Sequence, residues 1–115
     1  MSQAQAKMQC QAVLQKLIDG DAQAASIVAR DGVPVLSQWN ISANEDLFAA
    51  MAAAMFGAAD ACAMESGRES PQQVKVRGDG YEFAVHSLDD QHLLVLIGAG
   101  APALVDELRD ALQDA

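Results

Sequence analysis

The sequence predicts an α+β fold, a five-stranded antiparallel sheet with helices on both faces, in the order α-β-β-α-β-β-β-α. Three observations lead there. Two short β-branched runs are separated by Asp31-Gly32, the strongest short hairpin signal, because both positions of a type I′ turn need positive φ. The run HLLVLIG from His92 is apolar on both faces and so predicts a central strand. Between these units an Ala- and Met-rich stretch carries helical rather than alternating periodicity.

Taken in order, Ala6, Cys10, Val13, Leu14, Leu17 and Ile18 recur at three- and four-residue steps, which predicts an amphipathic helix with Gly20 as its stop. AASIVAR and VPVLSQW then form the Asp-Gly hairpin. Pro34 cannot donate to a ladder, so the second of these strands should be an edge. Ser42 followed by Glu45 predicts a capping box opening a long helix, which runs to about Ser66 and ends at Gly67. Pro71 leads into the strand QQVKVR, Gly78-Asp79-Gly80 turns the chain, and YEFAVHS alternates as a half-buried strand should. Asp89-Asp90 turns it again into the central strand. Pro102 suits the first position of a last helix, with Leu104, Val105, Leu108, Ala111 and Leu112 on one side.

At 115 residues, without repeats or low-complexity linkers, the chain is expected to form one domain over residues 1–115. Just over half of it is apolar (51%), enough to fold, yet only 4% is aromatic, which favours closely packed helices. Sixteen acidic residues against seven basic give a net charge of −9, a field that repels phosphate backbones. The only local basic cluster, Arg68, Lys75 and Arg77, is interrupted by Glu69 and Asp79, so nucleic acid is not an expected partner. The N-terminus MSQAQAKMQCQ has no signal-peptide core and no run approaches membrane-spanning length, so a cytoplasmic protein without membrane insertion is expected. Cys10 and Cys62 lack metal or redox spacing and are expected to be reduced core or interface residues.

Little in the sequence points to catalysis, a cofactor or a metal. There is no Gly-x-Ser-x-Gly elbow, and neither cysteine has a histidine near it in sequence. Gly98-Ala99-Gly100-Ala101-Pro102 joins a strand to a helix, but it lacks a third glycine and Pro102 removes an amide that a phosphate would use. His86 and His92 flank the Asp89-Asp90 turn. They would face each other in a three-residue loop register and not in a two-residue one, and no third metal ligand is evident. Asp19-Gly20-Asp21 begins like a calcium loop without its later glycine and glutamate.

The long helix is the informative element. At about 100° per residue, Leu47, Phe48, Met51, Met55, Ala58 and Cys62 gather in one arc, expected to cover the sheet. The neighbouring arc holds Ala50, Ala53, Ala54, Gly57 and Ala61, with Met64 below them. Small residues at alternating four- and three-residue steps make the seam of a close helix pair. Phe56 falls away from the sheet arc, so it is expected to be exposed beside that seam.

The segments SIVARDGVPVLSQ, FAAMAAAMFGAADACAMESG and HLLVLIG, followed by a final helix, resemble the Roadblock (dynein light-chain) family, particularly its stand-alone prokaryotic members. The resemblance spans nearly the whole chain and implies a sandwich of profilin-like or longin-like type. It also implies an obligate dimer in which the long helices lie side by side and the third strands pair. On this chain those contacts would be the Ala50–Ala61 seam and the strand Gln73 to Arg77, with Val74 and Val76. Members of the family are scaffolds or regulators of small GTPases of the Rag, Arf-like or bacterial polarity type, and no catalytic residue carries over.

The expected function is therefore a non-enzymatic homodimeric scaffold or regulator of a small GTPase, its partner copy being itself or a paralogue. The GTPase would dock across the paired helices at Phe56, Asp60 and Met64, rimmed by Glu45 and Asp46. An arginine finger would have to come from Arg30 or Arg68, and neither lies in a recognisable finger loop. The alternative is a small-molecule-sensing or structural dimerisation module of profilin-like architecture, with a cavity between sheet and long helix lined by Met51 and Met55.

Overall fold

Runs of six or seven residues, apolar in some and alternating in others, punctuated by glycine, aspartate and proline, produce five strands that pair side by side. In the computed structural model, which describes residues 3–98, 100 and 102–113, the order is α1 (Gln3–Asp19), β1 (Ala24–Ala29), β2 (Pro34–Trp39), α2 (Glu45–Glu65), β3 (Gln73–Gly78), β4 (Tyr81–Ser87), β5 (His92–Ile97) and α3 (Pro102–Gln113). The sheet is antiparallel throughout, in the order β2-β1-β5-β4-β3. The doubly apolar strand β5 is its middle strand, and the Pro34-bearing β2 is an edge, as the sequence predicts. Ala99 and Ala101 of the glycine-containing segment before α3 lie outside the described residues.

One sheet face packs on α1 and α3 through Leu14, Leu17, Ala25, Ile27, Leu94, Leu96 and Leu108. Cys10 is buried in this layer, and burial pushes its thiol pKa up, so it behaves as a small apolar core group. The other face packs on α2 alone, through Val28, Val85, Leu93 and Val95 against Ala49, Ala52, Ala53 and Phe56. At one end of this face Trp39 meets Phe48 edge-on (5.9 Å), and Phe48 meets Phe83 in the same way (5.7 Å), fixing the start of α2 over the sheet.

Two local devices differ from the sequence reading. The cap of α2 is Asn44, whose side chain accepts from the Leu47 N–H at 3.0 Å, and not the Ser42–Glu45 box. Asn44 is as good a cap as serine and lies two residues closer to the apolar face, so it sets the boundary. The Asp31-Gly32 hairpin is not a two-residue type I′ turn. The Ala29 N–H donates to Val33 O (2.9 Å), the Gly32 N–H donates to Ala29 O (2.8 Å), and only Gly32 has positive φ, +96°. A three-residue loop spares Asp31 the left-handed region and lets its carboxylate accept from the Val33 N–H. At the other end of α2 the expected Gly67 stop is present. Gly67 donates to Met64 O and Arg68 to Ala63 O, which is a Schellman motif.

Gly32 also lets the hairpin tip close on α2, since a Cβ there would sit 3.0 Å from the Ala50 Cα. Gly32→Ala should therefore cost about 1–3 kcal/mol, from left-handed strain and the push against Ala50, read from urea unfolding at fixed protein concentration. Phe56→Ala should cost about 3–5 kcal/mol in the same assay, the range for emptying an aromatic core site. A loss below about 1 kcal/mol would place Phe56 outside the core.

Candidate functional site

Phe56 decides how α2 is rotated. It is 1% exposed, the largest of the fully buried side chains, and lies between α2 and the sheet with the Arg30 guanidinium 5.2 Å from its ring centroid. This overturns its expected place on the outer surface, and it removes Phe56 from any docking face. Ala53 is buried with it and leaves the candidate seam. The expected sheet arc is also displaced: Leu47 (56% exposed), Met51 (61%), Ala58 and Cys62 face outward, and only Phe48 and Met55 are partly buried against the core.

The outer face of α2 is consequently broader and more apolar than the small-residue seam alone. Ala50, Ala54, Gly57 and Ala61 are exposed there as expected, beside Leu47, Met51 and Ala58, with Met64 (68% exposed) near the end and Asp60 half-buried on a flank. Nothing lies within 4 Å of a Cβ built on Gly57, so a second backbone could approach closely at that point. Leu47, Met51, Ala54, Ala58, Ala61 and Glu65 follow steps of four and three residues, the repeat of a paired helix. Contrary to the sequence reading, α2 is long and apolar enough to cross a membrane by length and composition alone. Its two apolar faces account for this: one covers the sheet and the other is bare.

The strand β3 is the other open edge of the sheet. Val74 pairs with Val85 and Val76 with Phe83, which puts both valines on the α2 side, and Val74 packs against its core. The Ser87 N–H donates to Gln72 O, so by the alternation of an antiparallel ladder the amides of Val74 and Val76 point into β4. Those of Gln73, Lys75 and Arg77 point outward along the open edge.

Other candidate groups are tied into the fold. Arg30 donates from Nε and Nη2 to Asp89 O (3.2 and 2.7 Å) and from Nη2 to Ser87 Oγ (2.7 Å), so a finger role would break a bonded network. The loop between Leu88 and His92 has three residues, yet it sets His86 against Leu94 and Leu88 against His92, so, contrary to the expectation for that register, the two histidines do not face each other. His92 Nδ1 instead meets the Asp89 carboxylate at 2.9 Å. Burial works against the ionised carboxylate, but bonds from His92 and the Gln91 N–H outweigh it and hold the Asp89 pKa low. Among the described residues no three His, Cys, Asp or Glu side chains converge as metal ligands. Phe56 occupies the space where a sensor cavity was expected. A cleft of about 280 Å³ lies on the opposite sheet face beside α3, and a groove of about 300 Å³ runs between α1 and α3.

Known structures share this arrangement. The gliding protein MglB from Thermus thermophilus superposes with a TM-score of 0.83 at 18% identity, covering 96% of this chain and 93% of that one. Myxococcus xanthus MglB gives 0.80 at 18% identity, covering 94% and 87%. A Roadblock/LC7 domain from Streptomyces avermitilis gives 0.70 at 17%, covering 94% and 92%. Among curated proteins no relative matches by sequence. The Roadblock/LC7 domain family matches residues 11–98, most of the chain and all of the sheet, so this chain belongs to that family.

Proposed function

We propose that the chain is a homodimeric scaffold or regulator of a small GTPase, without a reaction of its own, joined through the outer face of α2 and the open edge of β3. The observation that carries this reading is the bare apolar face of α2. A helix whose inner side already covers the sheet cannot be surrounded by lipid without stripping that sheet of its cover. A second protein surface can cover the outer side and leave the core intact. The same chain is a fitting partner. The large residues Leu47 and Met51 occupy the first half of the seam, and the small residues Ala54, Ala58 and Ala61 the second, so two antiparallel copies set large against small.

Of the GTPase types implied by the family resemblance, similarity to the gliding protein MglB favours the bacterial polarity type. The GTPase would dock across the paired helices near Asp60 and Met64, with Met64 taking the role first assigned to Phe56.

Gly57→Leu should fold and yet fail to dimerise, because the new side chain meets open space within the subunit and blocks a second helix. Light scattering should report a monomer or an aggregate, and the amides of Lys75 and Arg77, protected in the native dimer, should exchange quickly. An unchanged dimer mass would remove α2 from the interface. Met64→Asp should leave the dimer intact while weakening capture of the GTPase at least tenfold, or about 1.4 kcal/mol. Capture at native affinity would move the docking face elsewhere.

A further inference from the structure

The α1–α3 layer covers only part of its sheet face. Beside α3, over β3 and β4, it leaves the cleft of about 280 Å³, with Gln73, Lys75, Glu82 and His86 on the floor and Asp106 and Arg109 on the wall. Of the seven Lys and Arg residues in the chain, Lys75 and Arg109 line this cleft, and Arg77, outside the lining, bonds to Glu82 at its rim. They face two carboxylates, Glu82 and Asp106. The charges of the lining balance, and Arg77 at the rim makes three cations against two carboxylates in a molecule of net charge −9, so an anion meets less repulsion here than a net-acidic surface would give.

The bonding leaves one cation free to turn. Glu82 is held by both Lys75 (3.5 Å) and Arg77 (3.2 Å), so Lys75 can swing to a ligand while Arg77 keeps the carboxylate neutralised. Arg109 is fixed: Nε and Nη2 donate to Ser87 O, and Nη1 to Asp106. Between them the half-buried His86 ring has no hydrogen-bond partner among the described residues. The ring is half-buried but its nitrogens are not sealed off, so they are open to a ligand in the cleft.

We propose that this cleft binds a small oxyanion, a phosphate or carboxylate group, held by Lys75 and by the His86 ring, which takes up a proton as the anion binds, beside the fixed charge of Arg109. The site is independent of the GTPase reading and lies on the sheet face opposite α2. It touches the edge strand through Gln73 and Lys75, so a ligand would sit next to any pairing at β3.

The test is an NMR titration of both histidine rings in the full chain, with inorganic phosphate and malonate as probes against sodium chloride at matched ionic strength. Burial, and then Arg109 and Lys75, hold the His86 pKa below its ordinary value. An anion seated among them stabilises the imidazolium and should raise it. His92, outside the cleft, is the internal reference. A saturable upward shift confined to His86 with either probe, weakened about tenfold by Lys75→Gln, is the expected result. If both rings responded alike, if chloride matched the probes, or if Lys75→Gln bound with native affinity, there would be no such site.

Discussion

The packing of Phe56 against the sheet is the contact on which the rest of the molecule turns. α2 is apolar around most of its circumference, so burial alone does not choose which side meets the sheet. What chooses is shape. Ala49, Ala52 and Ala53 make a low shelf that lets the helix come close to the strands, and Phe56 fills the one larger space beside it. Arg30 covers the ring and is itself held by Ser87 and Asp89, so the hairpin tip, the β4–β5 loop and the helix are locked by one set of contacts. Rotating α2 to expose Phe56 would empty that space and leave Arg30 without its ring.

This is also why the candidate site was only half legible in the sequence. Strand order along the chain, the β2 edge, the central β5 and the ends of α1 and α3 follow from patterns that have a single reading: two-sided apolarity, a proline that cannot donate, a proline at a helix start. The rotation of α2 does not, because leucine, methionine and alanine on both sides give periodicity without a direction. The arc of Leu47, Met51, Ala58 and Cys62 was the more hydrophobic and was expected inside, but size complementarity put the alanine shelf there instead. The usable signal was Phe56 itself, flanked at helical spacing by Ala49, Ala52 and Ala53. The large ring among small neighbours marks a buried wedge better than a docking knob.

Ser87 links the two layers of the fold. Its hydroxyl receives Arg30 from the α2 side, and its carbonyl receives two bonds from Arg109 on α3. Both arginines are thereby spent on structure at the β4–β5 end of the sheet, in a chain that has few cations to spare. The distribution matters for recognition. With a net charge of −9, an acidic partner would be turned away from most approaches, and the cluster of Lys75, Arg77 and Arg109 is where cations are concentrated.

The two sheet edges are managed in opposite ways, and the contrast says where the sheet can grow. β2 begins with Pro34, which offers no N–H, and a register shift opposite Ile27 and Val28 leaves Val35 as an extra residue, so the edge is bent and its donor row broken. β3 has neither device: its pairing with β4 is regular from Gln73 to Gly78, its outward amides are in phase, and its charged side chains project to the face rather than into the path of a neighbouring strand. Tyr81 lies over Gly78 and fills the space a side chain would have taken, which keeps even the glycine end of the strand flat against its partner. An edge left regular and a helix left apolar leave both backbone donors and bare side chains to be covered. A strand alone would satisfy the first and a helix alone the second. A second copy of the same α2–β3 unit, related by a two-fold axis as in the dimer we propose, would satisfy both at once.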